Sequence, residues 1–135
     1  VGGDRLVFAK RTRIDDHLSR HVLADLFLDT LPYNAHTTTS DALWAGLPVL
    51  TCMGDTLASR VAASLLNAAD LPELITQSLA EYQAKAIELA SQPDTLKAIK
   101  HKLDKHREQV PLFDTVQFAR DLEKIYTGIW QNYSA

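Results

Sequence analysis

Apolar residues follow two rhythms along this chain. In the first half, short apolar runs of strand length alternate with amphipathic stretches. In the second half they recur at three- and four-residue steps, the period of a helix. Residues 5–9, 26–28 and 48–52 read as short strands, with 74–75 as a possible fourth. Pro48 is tolerated at a strand's first position, where no ladder donor is needed. Asp15 and Asp16 open a helix running to about Leu23, where acids suit the dipole. A second helix spans 38–45 and is stopped by Gly46. The turn Gly54-Asp55-Thr56 caps a third over 57–68. Helices over about 78–91, 93–107 and 114–133 complete the chain. The last carries Ala119, Leu122, Ile125, Tyr126, Ile129 and Tyr133 on one broad apolar face.

Strand–helix alternation implies right-handed crossovers and a parallel sheet, hence an α/β fold of doubly wound type. Ligands of such sheets sit beyond the carboxyl ends of the strands. The loop after Leu28 is at such an end, and it leads into the most telling stretch, YNAHTTTSDALWAGLPVLT over 33–51. There a polar turn meets three consecutive threonines at the start of a helix. Unpaired amides and a partial positive charge make a helix start a natural seat for phosphate. Asp41, one turn in, could accept from sugar hydroxyls, provided its carboxylate points past the phosphates it would otherwise repel. The same spacing, Thr38-x-x-Asp41, also reads as a capping box with no ligand at all.

Composition narrows the classes. The 135 residues fit one domain, divided here as an α/β part over 1–76 and a helical tail over 77–135. Acids outnumber Lys and Arg by 17 to 14, which argues against nucleic-acid binding as the main task. The basic group Lys97, Lys100, His101, Lys102, Lys105, His106, Arg107 surrounds Leu96, Ile99 and Leu103 at helical spacing, so it reads as a solvated face. No apolar run is long enough to span a bilayer, and no signal-peptide pattern opens the chain. Cys52 has no cysteine partner and reads as a buried thiol compatible with a cytoplasmic location. Neither an Asp-x-Asp pair nor a His/Cys cluster is present to hold a metal. The missing initiator methionine and abrupt opening suggest a fragment, whose sheet edge would be exposed.

Several words of the sequence are more specific than these patterns. LADLFLDT over 23–30, His36-Thr37-Thr38, Asp41, LWAG over 43–46, TLASRVAAS over 56–64 and Pro111-Leu112-Phe113 together resemble the protein O-GlcNAc transferase family. The likeness covers nearly the whole chain and lies closer to its bacterial branch, which is grouped with SPINDLY. It implies the later part of the C-terminal half of a GT-B glycosyltransferase: a Rossmann-like parallel sheet with flanking helices, followed by C-terminal helices. It further implies UDP-GlcNAc or a related UDP-sugar as donor substrate, no cofactor, and Ser/Thr hydroxyls of proteins as acceptors. By this likeness His36, Thr37 and Thr38 bind the diphosphate and sugar, Asp41 the ribose, and His17 and Arg20 the uracil. One departure is Ile14, where animal members carry a lysine that approaches the nucleotide. The half bearing the family's catalytic histidine, its diphosphate lysine and the preceding tetratricopeptide repeats lie outside these residues. No residue present is a convincing catalytic base, so the fragment alone is expected to be inactive.

Other residues read as structural. Trp44 is expected in the core, Arg60 is expected to pair with Asp55 or an upstream acid, and His21, His101 and His106 receive no role. Three functions compete: a protein O-glycosyltransferase whose donor wall lies here, a UDP-sugar-binding module without transfer, and the structural tail of a repeat scaffold.

Overall fold

Pairing of the apolar runs on either side of the threonine-rich helix builds the sheet. The computed structural model describes residues 2–106 and 108–134, with the side chain of His106 also outside the description. Arg107 of the basic group therefore lies outside the described residues. Strand β1 (Phe27–Leu28) runs parallel to β2 (Val49–Cys52), which runs parallel to β3 (Ile75–Thr76), in the order β1-β2-β3. Phe27 faces Val49 and Thr51 faces Ile75 across the ladders. All four residues of β2 are buried, as a central parallel strand covered on both faces requires.

Helices α1 (Ile14–Ser19), α2 (Thr37–Trp44), α3 (Val61–Ala68), α4 (Leu79–Ser91), α5 (Pro93–His106) and α6 (Thr115–Ser134) surround or follow this sheet. The first tightens into a 3-10 turn over Arg20–Leu23. Helices α2, α3 and α4 pack against β2. Their fully buried leucines Leu43, Leu66 and Leu89 form the core with Val49 and Leu50 and with Leu71 and Leu74 of the connection between α3 and β3. Each such side chain contributes about 1.5–3 kcal/mol through removal from water.

Two helices end by the same device. After α2, Leu47 N–H donates to the Ala42 carbonyl at 2.8 Å and Gly46 N–H to that of Leu43 at 3.1 Å. After α3, Leu71 N–H reaches the Leu66 carbonyl at 2.9 Å and Asp70 N–H that of Asn67 at 3.2 Å. Gly46 and Asp70 take the positive φ values of 80° and 58° that this termination needs. The first of these stops turns the chain directly into β2, so that the start of α2 is left at the carboxyl end of β1.

Four expectations are corrected. Residues 5–9 form no strand; a 3-10 turn over Gly3–Arg5 leads into irregular chain with Val7 and Phe8 exposed. A strand persists through its ladder partners, and among the described residues none pairs with this run. Trp44 is not in the core: it is half exposed and meets Phe113 edge-on, ring centroids 5.1 Å apart. Arg60 Nη1 donates to the Gly54 carbonyl at 3.4 Å rather than to a carboxylate. The capping box also fails to form. His36 is the N-cap of α2 and no side chain caps it, because the helix begins at Thr37, one residue before the expected cap.

The tail follows its periodicity but not its burial. Leu96, Ile99 and Leu103 of α5 face the core, and the cations around them are solvated or paired. Lys100 reaches Asp25 at 3.4 Å, and Lys102 bridges Glu73 at 3.3 Å and the carbonyl of Asp70. In contrast no residue of α6 is buried, and Ile125, Tyr126, Ile129, Trp130 and Tyr133 stand exposed. Cys52 is a buried thiol, as expected.

Candidate functional site

At the carboxyl end of β1 the chain turns through 29–36 and then enters α2. An open cleft of about 470 Å³ lies in front of this turn. His36, Thr37 and Thr38 line it at the start of α2, and His17 and His21 line it from α1 and the following turn. Two groups of residues about twenty positions apart in sequence thus line one cleft. Phe27, Thr30, Tyr33, Asn34 and Ala35 complete the lining.

The start of α2 is open for donation. The amides of Thr37 and Thr38 have no protein acceptor among the described residues, and both side chains are exposed. An anion placed there would meet two backbone N–H groups, two hydroxyls and the positive end of the helix dipole. Thr39 is turned inward instead: it is fully buried and its Oγ1 donates to the Ala35 carbonyl at 3.1 Å.

His36 is held on two sides. Its Nε2 donates to the Ala58 carbonyl at 3.2 Å, since a carbonyl can only accept. The ring stacks on Tyr33 with centroids 5.0 Å apart. With Nε2 committed, Nδ1 is the nitrogen left for a ligand. The Ala58 carbonyl also accepts from Asn34 N–H at 3.2 Å, so the turn before α3 braces the cleft wall.

On the opposite group, Arg20 Nη2 donates to His17 Nδ1 at 2.6 Å, and Arg20 Nη1 donates to the Lys10 carbonyl at 3.1 Å. His21 meets the His17 ring edge-on at 4.8 Å and its Nδ1 donates to the His17 carbonyl at 2.8 Å. Arg20 does not line the main cleft. It borders a neighbouring hollow of about 520 Å³ that shares His17 and includes Lys10 and Arg11. Asp41 is absent from the lining of both; it is half-buried one turn into α2, and its carboxylate has no partner among the described residues.

Sequence reading missed the support behind this wall. Asp29, buried at the end of β1, accepts from Thr30 N–H at 2.8 Å, Ala35 N–H at 2.7 Å and Thr51 Oγ1 at 2.6 Å. Asn34 Nδ2 donates to Thr51 Oγ1 at 2.7 Å and to the Cys52 carbonyl at 3.0 Å. Tyr82 O–H donates to the Asp29 carbonyl at 2.9 Å. Burial raises the Tyr82 phenol above its ordinary value, aided by the Asp29 carboxylate and the Cys52 thiol. His21 was missed too, although its place four residues after His17 puts both on one helix face.

Among the described residues no three His, Cys, Asp or Glu side chains gather to hold a metal ion, and no helix is long and apolar enough to cross a membrane.

Residues 1–122 match glycosyl transferase family 41. The chain is 41% identical over 131 residues to the Arabidopsis thaliana "Probable UDP-N-acetylglucosamine--peptide N-acetylglucosaminyltransferase SEC", covering 96% of this chain and 13% of that protein. It is 37% identical over 131 residues to the Caenorhabditis elegans UDP-N-acetylglucosamine--peptide N-acetylglucosaminyltransferase, covering 97% and 11%. Among solved structures, a mutant of the Thermobaculum terrenum O-GlcNAc transferase superposes with a TM-score of 0.81 at 36% identity, over 87% of this chain and 22% of that one. The chain thus spans about an eighth of the length of these curated relatives.

Proposed function

The chain belongs to glycosyl transferase family 41, and from that premise we propose that it is a UDP-sugar-binding module, supplying the donor wall of a protein O-glycosyltransferase. The observation that carries this reading is the pairing of an open helix start with a histidine pair across one cleft. UDP carries its charged diphosphate on one side of the ribose and its flat base on the other, several ångströms apart. The Thr37 and Thr38 amides and hydroxyls suit the former, and the His17 ring, pinned by Arg20, suits stacking on the latter. Asp41 would serve the ribose by accepting from its hydroxyls.

In sugar transfer the β-phosphate of the leaving UDP gains negative charge as the glycosidic bond breaks. Preorganised donors aimed at that charge lower the barrier, and they require no metal to do so. By the family likeness, the histidine at the catalytic centre lies in the half that this chain does not span. Transfer to Ser or Thr hydroxyls of proteins is therefore assigned to a longer polypeptide that includes the family regions this chain does not span. The chain by itself binds donor and does not transfer it.

Calorimetric titration of the chain with UDP, in magnesium and again in EDTA, tests this. Saturable binding of equal affinity in both supports the proposal. A folded chain that does not bind UDP overturns it in favour of a purely structural role.

A further inference from the structure

We propose that Thr51, with Asp29 and Asn34, is a positioning residue for the donor cleft: the three form a buried hub that sets where the start of α2 stands. The inference rests on the donor-site reading above and deepens it. Thr51 is fully buried in β2 and does not line the cleft. Its hydroxyl nevertheless joins both ends of the cleft-forming turn, donating to Asp29 Oδ2 at 2.6 Å and accepting from Asn34 Nδ2 at 2.7 Å.

From that point the restraint travels a short way. Asp29 Oδ1 clamps the Thr30 and Ala35 amides, so the turn's first and last peptide units hang on one carboxylate. Asn34 is fixed at its side chain by Thr51 and Cys52, and at its amide by Ala58. Beyond Ala35 come His36, the N-cap, and Thr37 with its open amide. The two peptide units between the hub and Thr37 are themselves held, the Ala35 carbonyl accepting from Thr39 Oγ1 at 3.1 Å and the His36 carbonyl from Thr39 N–H at 3.0 Å. Asn34 Oδ1 is buried with no partner among the described residues, a cost that an amide tolerates only if its other end is needed.

The hub acts on binding through geometry, so its removal should weaken the ligand without touching it. Thr51→Val keeps the shape and removes the hydroxyl; Thr51→Ser keeps the hydroxyl. With UDP as the probe, Thr51→Val is expected to raise Kd about tenfold while Thr51→Ser stays within about twofold of the parent. Both are compared as folded proteins by their thermal midpoints. A merely structural threonine would lower the midpoint of Thr51→Val and leave Kd unchanged, and that result overturns the inference. Should Thr51→Val not fold, Tyr82→Phe removes the bond to the Asp29 carbonyl from the edge of the core, and an unchanged Kd there is equally fatal. Failure of the parent itself to bind UDP would instead remove the donor-site reading on which this rests.

Discussion

Arg20 holds the imidazole of His17 through a 2.6 Å bond from Nη2 to Nδ1. Because a guanidinium only donates, this leaves His17 with its proton on Nε2 and its ring plane fixed. Arg20 is in turn tied to the Lys10 carbonyl. The arginine's part in the cleft is thus to orient the histidine, and it need not touch a nucleotide. Arg20→Met keeps most of the stem and frees the ring, and is expected to weaken UDP binding about three- to tenfold by calorimetry. Unchanged affinity would separate His17 from base recognition.

Asp41 provides a sharper case, because its carboxylate is half-buried and has no protein partner among the described residues. A partly desolvated acid of that kind has a use if a ligand's hydroxyls donate to it. Asp41→Asn is expected to weaken UDP binding by about 1–3 kcal/mol, the worth of a charged acceptor. Equal affinity of mutant and parent would discard the ribose role.

Tyr82 links the hub to pH. Its phenol is raised by burial and by the nearby Asp29 carboxylate, so the folded state holds the proton more tightly than the unfolded chain. The resulting stability is complete below the ordinary tyrosine range and is lost as pH rises through the raised value. Urea unfolding at pH 8 and near pH 11 should therefore show a steeper loss for the parent than for Tyr82→Phe. At pH 8 the variant is expected to be less stable by about 1 kcal/mol, for the lost bond to the Asp29 carbonyl.

Gly46 enforces the direction in which α2 hands over to β2. At φ 80° a side chain is strained, and Gly46→Ala is expected to cost about 1–2 kcal/mol in urea unfolding. A neutral substitution would mean that the helix stop is set by the leucine core alone.

The sequence shows local rules well and pairing poorly. Gly46, Thr56 and the leucine periodicity of α5 announce themselves because helix stops, caps and amphipathic faces depend on near neighbours. Thr56 indeed caps its turn, with Ser59 reciprocating. The 5–9 run misled because strand identity depends on a partner that its own residues do not specify. Trp44 misled because helical phase alone cannot say whether a wide aromatic sits over the core or at its rim. His36, Thr37, Thr38 and His17 were legible as candidates through family likeness, and their common cleft required the fold. The hub and the tyrosine bonded to it were illegible: Asp29, Asn34, Thr51 and Tyr82 are ordinary residues scattered over more than fifty positions. Only the parallel register, with Leu28 beside Leu50, brings Asp29 and Thr51 together.

Which atoms meet the ligand is read from backbone amide shifts followed by NMR during UDP titration. The Thr37 and Thr38 amides are expected to move most, with His17 and His36 ring signals following at the same Kd. Saturable binding whose largest shifts fall elsewhere, with Thr37 and Thr38 unmoved, would contradict the donor-site reading.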